Sequence, residues 1–136
     1  MKLIDEVTRD VIGLSMRIHT ALGPGLFESV YETVLAGKLI ELGYTVERQL
    51  PINIEFEGTQ FPNAFKIDLL VDQQLVIEIK SVEKPSALHA QQLLTYLRLM
   101  NLPVGLVINF SCLTLKDGIR RVVNNHRDSA ASAPSA

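Results

Sequence analysis

The sequence lacks the patterns that mark several classes of protein. It contains one cysteine, Cys112, which excludes an intramolecular disulfide and any CxxC metal knuckle. No apolar run approaches the roughly 20 residues that span a bilayer, and the first residues lead into acidic and polar ones without the apolar region of a signal peptide. These absences predict a protein of the reducing cytoplasm with no membrane partner.

An excess of positive charge is also missing. The chain has 13 Lys and Arg residues against 15 Asp and Glu residues, which gives a net charge of −2 and a pI of about 5.9. The surface as a whole therefore does not attract phosphate groups. Any binding of nucleic acid needs a local basic patch or bound metal ions.

The length and composition are those of one globular domain. At 136 residues, with 47% hydrophobic residues, the chain is long enough to bury a core and too short for two ordinary domains. Residues 129–136 read "SAASAPSA" and have nothing to bury. We predict one domain over residues 1–128 and a disordered tail over residues 129–136.

Hydrophobic periodicity predicts both helices and strands. Apolar residues recur every three or four positions from Leu3 to Leu22 and from Phe27 to Leu42, which indicates two helices. Four β-branched segments follow and predict an antiparallel meander; they are "YTVERQL", "INIEF", "AFKIDLLV" and "LVIEIKSV".

The last third of the chain alternates again between helix and strand. A third helix is predicted from Pro85, placed in its first turn, to Met100, and strands are predicted at "PVGLVINF" and "IRRVVN", separated by a turn at residues 116–118. The resulting order, α-α-β-β-β-β-α-β-β, predicts an α/β (α+β) fold with a central mixed sheet and flanking helices.

Asp68, Glu78 and Lys80 interrupt two strands that are otherwise apolar. A three-residue loop at residues 72–74 pairs Val71 with Leu75 and places Asp68 across from Glu78. Like charges facing each other destabilise a sheet, and a hard cation such as Mg²⁺ or Mn²⁺ would remove the conflict. The alternative is a solvated face on which the acids pair with lysines.

Two predicted helices carry further candidates. At ~100° per residue, Glu28 falls at the centre of the apolar stripe of the second helix and points towards the core; alternatively, it faces the helix dipole at a half-exposed edge. On the third helix, His89, Gln92 and Tyr96 share a narrow face that could reach phosphate or the two acids. The alternative there is an ordinary helix flank with a core tyrosine.

These residues together resemble a known arrangement. Asp68 is followed after nine residues by Glu78-Ile79-Lys80, which resembles the PD-(D/E)XK nuclease superfamily. More narrowly, "GLFESVY", residues 25–31, matches the signature of the GxxExxY protein family. The proline of the superfamily's name is absent, because Ile67 precedes Asp68. The resemblance extends from the first helix to Asn124.

The resemblance implies a restriction-endonuclease-like core and a divalent-metal-dependent nuclease that acts on DNA or RNA. It implies that Glu28, Asp68, Glu78 and the carbonyl of Ile79 hold Mg²⁺ or Mn²⁺. It also implies that Lys80 orients the attacking water or stabilises the charge that develops on the phosphate. Gln92 matches the supporting polar residue of the next helix.

A second hypothesis is a catalytically silent domain that kept the nuclease fold. Such a domain would act as a nucleic-acid- or protein-binding module. An uncovered "VGLVINF" segment would then serve a protein partner or a homodimer.

Overall fold

The structure is a computed structural model that describes residues 2–125, so the predicted tail lies outside the described residues. All its strands belong to one five-stranded sheet with neighbouring strands in chain order. The elements are α1 (Ile4–Leu22), α2 (Glu28–Glu41), β1 (Val46–Phe56), β2 (Thr59–Val71), β3 (Leu75–Lys80), α3 (Ala87–Met100), β4 (Val104–Asn109), α4 (Leu115–Gly118) and β5 (Ile119–Val123).

The sheet is mixed, as the sequence predicts. Strands β1, β2 and β3 form an antiparallel meander, and β4 then runs parallel to β3. A parallel neighbour requires a crossover, and α3 provides it. Strand β5 returns antiparallel to β4. The predicted fold class, an α+β sheet with flanking helices, is confirmed.

Helices cover both faces of the sheet. The buried side chains of α1 and α2 form one cluster with residues such as Leu69 and Ile77. Leu93 and Leu97 of α3 form the second cluster with residues such as Leu70 and Val76. A Cβ atom on Gly105 of β4 would lie 2.9 Å from the Leu93 side chain, so α3 packs closely on the sheet because this position has no side chain.

Three local differences from the predicted elements have physical reasons. The two segments on either side of Pro51 form one continuous strand, β1, because β1 lies at the sheet edge, where a missing N–H group is tolerated. Pro85 precedes α3, and Ser86 caps the helix by accepting a bond of 3.1 Å from the Leu88 N–H. The predicted turn at residues 116–118 belongs to the short helix α4.

Strand β4 offers no docking surface. Every residue from Val104 to Asn109 is buried, and so is Phe110. The second hypothesis, which supposes "VGLVINF" to be uncovered, is therefore wrong on this point, because α3 covers one face of β4 and α1 with α2 cover the other, as the continuous apolar run predicts. In the described part of the chain, no helix is long and apolar enough to cross a membrane.

Strands β1 and β2 extend beyond the rest of the sheet. Their pairing runs from Val46 and Val71 out to Phe56 and Thr59, whereas β2 pairs with β3 only over Leu69–Val71. The remainder of the hairpin is a largely exposed two-stranded ribbon, which we call the β1–β2 arm (residues 51–65). Asp68 therefore lies where β2 separates from β3.

Candidate metal centre

The predicted pairing of Val71 with Leu75 is confirmed, whereas the predicted pair of Asp68 with Glu78 lies beyond the paired residues. Val71 pairs with Leu75, and the recorded pairing ends at Leu69 and Ile77, one position before Asp68 and Glu78. Beyond that point no strand of the described chain pairs with this edge of β3. The Asp68 carboxylate takes the place of a strand carbonyl there, because its Oδ2 accepts a hydrogen bond of 2.8 Å from the N–H of Ile79.

Side-chain alternation along β2 breaks at Asp68. Leu69 packs in the cluster under α1 and α2, while Ile67 packs with Leu70 in the cluster under α3. Regular alternation along a strand would place Ile67, Leu69 and Val71 on one face, and Ile67 departs from it. Gln49, which lies opposite Asp68 between the pairs Arg48–Leu69 and Leu50–Ile67, has a left-handed backbone with φ of 50°. Such a conformation twists a strand locally.

Glu78 is a buried acid without a complete set of partners. Its residue is 6% exposed, and in the described residues its Oε1 has no hydrogen-bond partner. Burial, and after it the negative charge of Asp68, raises the pKa of Glu78 to about 9, although the charge of Lys80 acts in the opposite direction. Glu78 therefore holds a proton at neutral pH unless a cation replaces that proton.

The carbonyl of Ile79 lies on the same edge of β3 as its N–H group. The carbonyl of Lys80 accepts a bond of 2.9 Å from Phe110 N–H, on the β4 side. Because successive residues of a strand present their polar backbone groups to opposite edges, the Ile79 carbonyl points to the β2 side, where Asp68 lies. Two carboxylates and a carbonyl are oxygen ligands of the kind that Mg²⁺ and Mn²⁺ prefer.

Glu28 does not point into the core. It is the first residue of α2 and is exposed, so the expected inward orientation is wrong and the alternative, a helix end at an edge, holds. Its Oε2 accepts a hydrogen bond of 3.2 Å from the Ser81 N–H. Glu28 thus reaches the same strand edge, two residues beyond the Ile79 N–H that Asp68 accepts.

The acids form a pair rather than a larger group. Within residues 2–125, no group of three or more His, Cys, Asp or Glu side chains is arranged to hold a metal ion. The donor set that fits a cation is therefore Asp68, Glu78 and the Ile79 carbonyl. The role of Glu28 as a further ligand stays a prediction.

Of the polar residues predicted on the third helix, Tyr96 lies near the acids. The pKa of Tyr96 is raised by burial and by the charges of Glu78 and Asp68, and its ring stacks on Phe65 with centroids 4.1 Å apart. His89 lies elsewhere, in a cleft that Asn109 and Arg120 also line.

Two other predicted residues are placed but not tested. Lys80 is half-buried and close enough for its charge to lower the pKa of Glu78. Gln92 is exposed on α3. Their roles stay predictions.

The sequence reasoning missed a second buried acid, Glu32, and its partners. Glu32 is 6% exposed and accepts bonds of 3.2 and 3.0 Å from Nε and Nη2 of Arg48. It also accepts a bond of 2.6 Å from Nε2 of Gln49. A signal for Glu32 existed, because it lies only ~40° from Glu28 around the helix. No sequence signal singles out Gln49.

Comparison with known protein families gives a match to the sequence. A family model described as PD-(D/E)XK nuclease superfamily matches residues 5–122, a range that contains every residue of the candidate centre. No curated protein and no solved structure matches the chain. The match confirms the restriction-endonuclease-like fold class, while the narrower GxxExxY assignment stays a prediction.

Proposed function

Because the chain belongs to the PD-(D/E)XK nuclease superfamily, we propose that it hydrolyses phosphodiester bonds in nucleic acid with the help of Mg²⁺ or Mn²⁺. One observation carries the proposal: Glu78 is buried with an unpartnered oxygen beside the charge of Asp68. An uncompensated buried acid costs stability, and such groups concentrate at functional sites. A cation between the two acids removes the cost.

Asp68, Glu78 and the carbonyl of Ile79 would hold the cation, with Glu28 as a further ligand directly or through water. A bound divalent cation lowers the pKa of its water and neutralises charge on the phosphate, the two requirements of phosphodiester hydrolysis. Asp68 is suited to ligation because both of its oxygens are already oriented by N–H donors.

The remaining roles fall on Lys80 and Gln92. Lys80 is near Glu78, and its ammonium group would orient the attacking water or stabilise the charge that develops on the phosphate. Gln92, exposed on α3, would support the substrate side of the centre. Whether the nucleic acid is DNA or RNA is left to the experiment below.

A second candidate function is a catalytically silent module that binds nucleic acid or protein. Two observations favour it: Glu28 is exposed, and no group of three acids forms within residues 2–125. Such a module needs no cation. The addition of Mn²⁺ should then leave its melting temperature unchanged, whereas an occupied nuclease site is stabilised by mass action.

A cleavage assay with one site variant and one matched control tests the proposal. The parent, Asp68→Asn and Glu55→Gln are incubated with end-labelled single- and double-stranded DNA and RNA, in Mn²⁺ or in EDTA. Glu55 is an exposed acid of the β1–β2 arm and serves as the control. We expect cleavage that requires Mn²⁺ and a loss of about a hundredfold or more in Asp68→Asn, because the loss of even an outer-shell partner costs about 10- to 100-fold. Glu55→Gln should cut as the parent does.

Two outcomes contradict the nuclease proposal. Equal cleavage by Asp68→Asn and Glu55→Gln would mean that the activity does not arise at Asp68. A parent that cuts none of the four substrates, and whose melting temperature does not respond to Mn²⁺, supports the binding module instead.

A further inference from the structure

Gln49 joins a buried acid of α2 to the candidate centre. Its Nε2 donates a hydrogen bond of 2.6 Å to Oε1 of Glu32 and one of 3.2 Å to Oδ1 of Asp68. Both acceptors are carboxylate oxygens, so only the nitrogen of the amide can make both bonds. The side-chain amide is therefore fixed in one orientation between two acids.

The Glu32 side chain is itself fixed by further hydrogen bonds. The other oxygen of Glu32 accepts both Nε and Nη2 of Arg48, and Nη2 of Arg48 also donates to Oγ1 of Thr33 at 2.8 Å. Glu32 is thus fixed on helix α2, it accepts a hydrogen bond from the Gln49 amide, and the same amide donates to Asp68. The chain of contacts links the helix to the strand that carries Asp68.

The backbone of Gln49 indicates that this placement has a cost. Its φ of 50° lies in the left-handed region, where a residue other than Gly, Asn or Asp is uncommon. Such conformations are strained and persist only where surrounding contacts enforce them. The bonds to Glu32 and Asp68 are contacts of that kind.

We propose that Gln49 is a positioning residue of the candidate metal centre, an inference that rests on the proposed function. A neutral double donor suits this place: a lysine would neutralise Asp68 and compete with the cation, and a glutamate would add a third negative charge. Gln49 orients Oδ1 while the Ile79 N–H orients Oδ2. Each oxygen keeps a lone pair for the cation.

The test uses two asparagine variants and Mn²⁺ itself as the probe. Asn tolerates the left-handed conformation but is one methylene too short to bridge Glu32 and Asp68, so Gln49→Asn removes the bridge without straining the backbone. Gln73→Asn is the matched control, because Gln73 also has a left-handed backbone, with φ of 57°, and donates to Glu47. Calorimetric titration measures the dissociation constant for Mn²⁺, and thermal unfolding is followed in parallel.

We expect Gln49→Asn to weaken Mn²⁺ binding about tenfold, the usual effect of a lost outer-shell partner, and Gln73→Asn to bind as the parent does. Gln49→Met, which removes the donor at similar length, should weaken binding to the same degree. Binding of Mn²⁺ by Gln49→Asn within twofold of the parent overturns the positioning role and leaves the proposed metal centre intact. A parent that binds no Mn²⁺ overturns the centre and this inference with it.

Discussion

Two acids of this protein have the same exposure and opposite surroundings. Glu32 on α2 and Glu78 on β3 are each 6% exposed. Glu32 accepts bonds from Arg48 through one oxygen and from Gln49 through the other. Glu78 has an oxygen with no partner in the described residues, and Asp68 adds a second negative charge beside it.

The comparison shows that burial alone does not identify a functional acid. A buried carboxylate with charged and polar donors on both oxygens contributes to the fold, because its desolvation is compensated. A buried carboxylate next to another acid costs stability instead, and that cost persists where the site binds something. Glu32 belongs to the first class and Glu78 to the second, so the two should respond oppositely to the loss of charge.

The largest expected effect is a gain of stability in Glu78→Gln without metal. A carboxyl whose pKa rises from 4.5 to about 9 on folding binds more protons in the folded state, so stability is lost as pH rises from about 4.5 towards 9. The slope is about 1.4 kcal/mol per pH unit. Urea unfolding in EDTA should show equal stabilities near pH 4.5 and a variant more stable by on the order of 3 kcal/mol at pH 7.

The exposed Glu55→Gln controls for loss of charge in general, and its stability should follow that of the parent at every pH. A difference between Glu78→Gln and the parent that stays constant from pH 5 to pH 8 would contradict the raised pKa.

The converse variant, Glu32→Gln, should lose stability. It removes the charge that Arg48 pairs with, and charge-assisted hydrogen bonds of this kind contribute about 2 kcal/mol. The Arg48 side chain is 42% exposed, so water solvates it after the change and limits the loss. Urea unfolding should give a decrease of about 2 kcal/mol; a raised midpoint would place Glu32 with Glu78 instead.

The smallest of the three effects is the pH dependence of Mn²⁺ binding. Because Glu78 holds a proton that the cation must displace, affinity should rise about tenfold per pH unit between pH 6 and pH 8.5. Calorimetry in buffers of different ionisation enthalpy measures that proton release directly. Glu32→Gln should keep the same slope, and a slope near zero in the parent would show that Glu78 is not a ligand.

The sequence predicted the centre best where the geometry is local. The register that brings Asp68 to β3 follows from a three-residue loop and the parity of apolar residues, and both are readable within residues 64–82. The same parity argument fails at Ile67, because the left-handed backbone of Gln49 on the neighbouring strand changes the twist there. A backbone conformation that is imposed by tertiary contacts cannot be predicted from the local sequence.

The helix acids show a second limit. A helical wheel gave Glu28 an inward position, although it is the exposed first residue of α2, and Glu32, one turn further on, is the buried one. A wheel gives the direction of a side chain around the axis but not where the helix ends relative to the sheet. That end is set by how α2 packs on the sheet, which involves residues far apart in the chain.

The backbone amides of Ile79 and Ser81 offer a way to observe the centre without any substrate. Each donates to a carboxylate rather than to a neighbouring strand, Ile79 to Asp68 and Ser81 to Glu28. Their nuclear magnetic resonance shifts and their rates of exchange with deuterium therefore depend on where those two side chains lie. A cation that moves only Asp68 changes the signal of Ile79 alone, whereas a cation that also binds Glu28 changes both signals. The two amides would therefore show whether Glu28 joins Asp68 as a ligand.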